Sequence, residues 1–216
     1  MPRARATKAV PEKEMLRELK QLAYTYGINS VIRFAKTRNE EHKTQSVGEH
    51  VANILACAYF FKDKVKGGDA LDMGLVARRI LIHDMGEIET GDIVTVKRAN
   101  DSAERDMEHK AIRTVTRKVP KALARTLMSD YESTEDGLDF EGRFVRAMDK
   151  FEGMFFCFVG AGIPMIRTVT PEISIRRTYI AGVEKKLVAL GFPEVARYAR
   201  VAGKDMVRRG YLRNKD

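Results

Sequence analysis

Nowhere in the 216 residues does an apolar run approach the roughly 18 residues that cross a bilayer, which excludes a membrane-spanning helix. The opening Met-Pro-Arg-Ala-Arg-Ala has no apolar stretch of the secretory kind, so a soluble cytoplasmic protein with no membrane partner is expected. Cysteine is scarce. Cys57 and Cys157 both fall in apolar segments, with no CxxC or Cys/His cluster about them, which argues against a thiolate metal site and for reduced, buried thiols. Period-2 alternation of apolar and polar residues is rare and short-period repeats are missing, so strands are not expected to matter. The basic residues do not interleave with stacking aromatics in any recognised nucleic-acid motif.

The chain does have enough apolar material, 44% of its residues, to bury a substantial core. One helical domain is expected over residues 11–210, with a disordered basic arm at 1–10 and a basic tail at 211–216. The formal charge of +9 gathers in that arm (Arg3, Arg5, Lys8) and toward the C-terminus (Arg197, Arg200, Lys204, Arg208, Arg209, Arg213, Lys215). A solvated helix face accounts for the late cluster, and a nucleic-acid or other anionic partner is the less favoured alternative.

Pro11 at a first turn and Gly27 as a stop bracket one helix through Leu16, Leu19 and Ala23. A short helical piece is expected from Ser30 through Val31, Ile32 and Phe34, then a polar loop from Lys36 to Gln45. Ser46 followed by Glu49 has the spacing of a capping box, and opens a helix through Val51, Ile54, Leu55 and Ala58 to about Lys66. Gly67-Gly68-Asp69 turns the chain into a long helix from Ala70 to about Glu89, closed by Thr90-Gly91-Asp92. Later helices run from Asp101 or Ser102 to about Val119, from Pro120 through Tyr131, and through Phe144, Val145, Met148, Phe151, Phe155 and Phe158. Pro171 to Leu190 and Pro193 to Arg209 complete an all-α chain.

Three polar anomalies interrupt the apolar helices. His83 and Asp84 break the run Ile80-Leu81-Ile82 on a stripe that starts at Leu75 and Val76; His50 sits in the first turns of its helix; Asp149 lies inside the thickly apolar one. Burying such groups unpaired costs roughly 2–7 kcal/mol each, more for a charge, so each needs a partner. A core histidine at His50, a local His83–Asp84 ion pair and a buried cap or salt-bridge partner at Asp149 would each meet that need. Convergence of all four on one divalent cation would meet it at once. Two imidazoles and two carboxylates suit a borderline or hard ion such as manganese, cobalt, iron, magnesium or zinc.

Ser46-Val47-Gly48-Glu49-His50, the run Leu81-Ile82-His83-Asp84-Met85-Gly86-Glu87-Ile88-Glu89-Thr90-Gly91-Asp92, and Phe144-Val145-Arg146-Ala147-Met148-Asp149-Lys150 together resemble the three signature segments of the HD-domain metal phosphohydrolases. The segment from Glu87 to Asp92 and the preceding Arg33-Phe34 resemble the 5'-deoxynucleotidase branch, which hydrolyses deoxynucleoside monophosphates. The resemblance covers roughly residues 30–160 and implies an HD-domain helical bundle of roughly eight to nine helices. It departs from the branch at Phe34, where tryptophan is usual, and in a somewhat longer loop between Arg33 and His50 that carries His42.

The resemblance implies that His50, His83, Asp84 and Asp149 hold one divalent metal ion, which lowers the pKa of a bound water so that hydroxide exists near neutral pH. Glu87, at i+4 from His83, would orient that water or a ligand imidazole, and Asp92 would act as acid or water-positioning group on the leaving-oxygen side. Arg33 offers a planar fork to phosphate, Lys97 a point charge, and Phe34 a surface for sugar or base. His42 and His109 have neither apolar context nor motif and read as surface residues. The expected reaction is hydrolysis of deoxynucleoside 5'-monophosphates to deoxynucleoside and phosphate. Alternatives are triphosphohydrolysis of deoxynucleoside triphosphates, hydrolysis of a guanosine polyphosphate or cyclic nucleotide, or a non-catalytic nucleotide sensor with a nucleic-acid-binding tail. A homodimer is expected from the resemblance and from the large side chains Phe155, Phe156, Phe158, Ile163 and Met165.

Overall fold

The computed structural model describes residues 12–33, 44–92, 101–159 and 177–210, without the side chains of 101–104 and 177–179. Phe34, His42, Lys97, Ile163, Met165, Pro171, the arm at 1–10 and the tail at 211–216 lie outside the described residues. The described chain is helical: α1 (Glu12–Thr25), α2 (Val47–Lys62), α3 (Met73–Ile82), α4 (Glu87–Thr90), α5 (Asp101–Lys118), α6 (Lys121–Glu135), α7 (Phe140–Phe158), α8 (Arg177–Ala189) and α9 (Pro193–Arg208). Among the described residues no helix is long and apolar enough to cross a membrane.

Local chemistry sets most of the boundaries. Ser46 Oγ accepts from the Glu49 amide while Glu49 Oε2 accepts from the Ser46 amide at 2.7 Å, so the capping box forms and fixes the start of α2. Asp72 caps α3 through the amides of Gly74 and Leu75, and Asp139 caps α7 through that of Gly142. Gly91, at φ +69°, ends α4 in a conformation that side-chain-bearing residues rarely adopt.

Two expectations are corrected. Residues Ser30 to Ile32 do not extend a helix; Ile32 forms an antiparallel bridge with Ser46, with Arg33 N donating to Gln45 O at 3.0 Å and Val47 N to Val31 O at 2.9 Å. The β-branched Val31 and Ile32 suit an extended backbone, and Gln45 and Val47, distant in sequence, supply the partners. The helix expected from Ala70 to Glu89 breaks between His83 and Gly86. There the α pattern ends with His83 N on Arg79 O, and Met85, Glu87 and Glu89 donate instead to Ile82, Asp84 and Gly86, three residues back.

Two apolar clusters make the core. The larger joins α2, α3, α7, α8 and α9 through residues such as Ile54, Phe61, Ile80, Phe144, Met148, Leu187 and Val195. The smaller joins Ile82 and Met85 to Ile112, Val115, Leu127 and Tyr131 of α5 and α6. His83 and Asp84 therefore sit where the chain passes from one cluster to the other. Helix α7 touches α2, α3, α6, α8 and α9. The buried Arg79 forks onto Asp139, at 2.5 and 2.8 Å, tying α3 to the start of α7. Gly142 permits the close approach of α7 to α6, because a Cβ there would lie 2.4 Å from the Ser133 carbonyl oxygen.

Phe156 is buried, and Phe155 and Phe158 are half-buried against the larger cluster, so much of the apolar surface of these three rings belongs to the core. Cys57 and Cys157 are free and buried, and burial, with Glu152 adding to it, pushes both thiols up to about 12.

Candidate metal centre

The bridge at Ile32 brings Arg33 beside the N-terminus of α2, the capping box fixes His50 in the first turns of that helix, the tightened turn after α3 carries His83 and Asp84, and α7 delivers Asp149. The four side chains meet. His50 Nε2 lies 3.1 Å from Asp149 Oδ1 and 3.6 Å from Asp84 Oδ2, while His83 Nε2 lies 3.2 Å from the same Asp84 oxygen. Ligand atoms of His50, His83 and Asp149 all fall within 4.8 Å of one another, a span over which they could hold a metal ion.

The residues present fit a divalent cation. His83 Nδ1 lies 2.7 Å from the Ile80 carbonyl, which can only accept, so Nδ1 carries the proton and Nε2 is left for another partner. Nε2 is buried and lacks hydrogen-bond geometry to any group, although it lies within ion-pair distance of Asp84. The electrostatics agree. Burial opposes charge on His83, but the carboxylates of Asp84 and Asp149 outweigh it and push the imidazole up to about 9. Burial would raise Asp84, yet the His83 and His50 imidazoles and the Arg33 guanidinium hold it well below the usual carboxylate range. Asp149 is held low in the same way, against burial, by Lys150, His50 and His83. Such an acidic cluster draws a proton to the His83 imidazole, and a divalent cation relieves it instead.

A cleft opens from this cluster, lined by Arg33, His83, Asp84, Glu87, Thr90, Asp92, Glu108, Tyr131, Glu135, Asp149 and Lys150 among others. Glu87 starts α4 rather than continuing α3, and its buried Oε2 has no hydrogen-bond partner. Burial, with the carboxylates of Asp84 and Asp92 adding to it, pushes Glu87 up to about 9. Asp92 is buried after Gly91, its Oδ1 3.6 Å from Arg33 Nε, which links the two ends of the cleft. Phe34 and Lys97 are outside the described residues.

Several participants escaped the sequence reading. Glu152, one turn beyond Asp149, is buried and reaches His50 Nδ1 at 2.6 Å; a carboxylate inside the run Phe151-Glu152-Gly153-Met154 was the available signal. Lys150 donates to Asp149 Oδ2 at 2.8 Å. His109 is not a bare surface residue: half-buried, it meets the Tyr131 ring edge-on at 5.6 Å between centroids.

The family model described as HD domain matches residues 28–162 of this chain. The human protein named 5'-deoxynucleotidase HDDC2 is 27% identical over 110 residues, 51% of this chain and 52% of that one. The mouse protein of the same name is 29% identical over 115 residues, 53% and 55% of the two chains. The chain thus spans about half the length of the curated relatives it matches. A crystal structure from Magnetospirillum magnetotacticum MS-1, described as a predicted metal-dependent phosphohydrolase, superposes with a TM-score of 0.71 at 21% identity, covering 95% of this chain and 99% of that one. A conserved hypothetical protein from Pyrococcus furiosus superposes with a TM-score of 0.58 at 17% identity, covering 88% and 99%. These two likenesses concern the fold. With the family model spanning well over half of its length and both histidines, Asp84 and Asp149 inside that span, the chain belongs to the HD domain family.

Proposed function

We propose that the protein is a metal-dependent phosphohydrolase that cleaves the phosphate monoester of deoxynucleoside 5'-monophosphates, releasing the deoxynucleoside and inorganic phosphate. The observation that carries this reading is the convergence of His50, His83, Asp84 and Asp149 beside the Arg33 guanidinium, on a cleft that also holds Glu87 and Asp92. The named relatives support the substrate class.

A divalent cation held by His50, His83, Asp84 and Asp149 would supply Lewis acidity, making water a nucleophile near neutral pH and countering phosphate charge. Arg33 binds the phosphate as a planar fork and is itself steadied by Asp92. Glu87, with one oxygen lacking a partner, orients the attacking water. As the new P–O bond forms and the bond to the 5' oxygen breaks, that oxygen takes up a proton, delivered by Asp92 or by water it positions. Phe34 and Lys97, which lie outside the described residues, are proposed by the resemblance alone to contact the sugar or base and the phosphate. The working form is read as a cytoplasmic homodimer, for which the exposed Met15, Leu16, Leu19 and Leu22 of α1 supply apolar surface.

The test is a nucleotide panel with product analysis on metal-loaded protein. Inorganic phosphate from deoxynucleoside monophosphates, with ribonucleotides turned over slowly, supports the reading. Triphosphate from deoxynucleoside triphosphates, pyrophosphate from a guanosine polyphosphate, or no turnover would replace it with one of the alternatives.

A further inference from the structure

Glu152 is 2% exposed and His50 is fully buried, so neither is turned by water; their contact is set by the fold. Glu152 Oε2 gathers three neighbours: His50 Nδ1 at 2.6 Å, the Gln45 amide nitrogen at 3.4 Å and Arg33 Nη1 at 3.9 Å. Gln45 is steadied in turn by Asn53, which donates to its Oε1 at 3.0 Å, and by the backbone bond from Arg33 N. One carboxylate oxygen is therefore the joint between α7, the start of α2 and the bridged segment that carries Arg33.

A neutral imidazole has one proton to give, and His50 has a carboxylate at each end of its ring. The contact of Nδ1 with Glu152 is 2.6 Å against 3.1 Å from Nε2 to Asp149, and the shorter one claims the proton. Nε2 then faces Asp149 and Asp84 with its lone pair, an arrangement that repels unless a cation lies between them. We infer that Glu152 is a positioning residue: it takes the Nδ1–H of His50, keeps Nε2 open as a ligand atom, and ties that imidazole to the arginine that meets the phosphate. The inference rests on reading His50 as a metal ligand. Glu152 itself touches neither ion nor substrate.

The chain has only four histidines, so a long-range nitrogen–proton correlation spectrum of the zinc-loaded, 15N-labelled protein resolves each ring. His50 is expected with its proton on Nδ1 and its Nε2 shifted by zinc. In Glu152→Gln, which keeps the side-chain length but loses the charge, calorimetric titration should show zinc bound about 10–100-fold more weakly, with the Nδ1–H signal of His50 broadened or lost. A wild-type His50 protonated on Nε2, or zinc affinity unchanged in Glu152→Gln, overturns the inference. Should the variant fail to fold, the wild-type spectrum alone decides. A wild-type chain that takes up no zinc defeats the metal reading beneath the inference, a result distinct from normal uptake with the His50 proton on the wrong nitrogen.

Discussion

The imidazoles of His50 and His83 face each other with ring centroids 5.7 Å apart and planes inclined at 51°, although one comes from the first turns of α2 and the other from the end of α3. Each ring has its Nδ1 beside an oxygen of its own, from Glu152 and from the Ile80 carbonyl, and each turns Nε2 toward Asp84. That shared orientation suits the pair to hold a metal ion between them.

Asp84→Ala is expected to remove bound metal and activity together, because it strips the oxygen that both Nε2 atoms approach. Metal content by mass spectrometry and turnover should fall in parallel, by roughly 100-fold or more. Retained metal with lost activity would give Asp84 another role.

Glu87→Gln and Arg33→Ala should separate. The first is expected to keep the metal and lower kcat by about 100-fold with KM little changed, as the water-orienting role proposed for Glu87 requires. The second is expected chiefly to raise KM, by roughly 10-fold or more, because the phosphate fork proposed for Arg33 would act in ground and transition states alike. Steady-state kinetics with a metal assay beside it distinguishes them, and metal loss in Glu87→Gln contradicts the role given to that residue.

Much of this was legible beforehand, and what was not has a common cause. Caps and stops within a few residues of each other, such as Ser46 with Glu49, mark helix boundaries from sequence alone. The segments around His50, the His83–Asp84 pair and Asp149, through the family resemblance they carry, likewise implied a cluster. Hidden were features settled by partners far along the chain. The Ile32 bridge needs Ser46, the turn at His83 depends on Ile82 and Met85 entering a core made by α5 and α6, and Glu152 becomes a partner of His50 only once α7 lies on α2.

Acid should loosen the junction of α3 and α7. The Arg79 guanidinium, through its hydrogen bonds, holds the Asp139 carboxyl below its ordinary value. The folded pKa thus lies under the unfolded one, so the stabilisation is fully present above roughly pH 4 and is lost as pH falls through the folded value. Asp139 is 42% exposed, so solvent tempers the effect. Urea unfolding of wild type and Asp139→Asn, which preserves the cap, should diverge above about pH 4 and converge as pH falls through the folded value. Parallel curves across that window would refute the assignment.

Gly142→Ala should destabilise despite the gain of about 1 kcal/mol in helix propensity. The added Cβ meets a backbone carbonyl at 2.4 Å, which cannot rotate away, so α7 must shift from α6. A net loss of about 1–2 kcal/mol is expected, lowering the melting temperature by several degrees.

Light scattering at micromolar concentration is expected to return about twice the 24.5 kDa chain mass, and Leu19→Glu, on the exposed face of α1, to halve it while metal uptake persists. A wild-type mass of one chain removes the dimer from the reading and leaves the metal centre as it stands.

Anomalous scattering from a cobalt-loaded crystal, collected at the cobalt edge, addresses the metal centre itself. The account predicts one strong peak enclosed by His50, His83, Asp84 and Asp149, beside the cleft that Arg33 and Glu87 line; no peak there, or a peak that leaves either histidine or Asp149 outside its coordination, would contradict it.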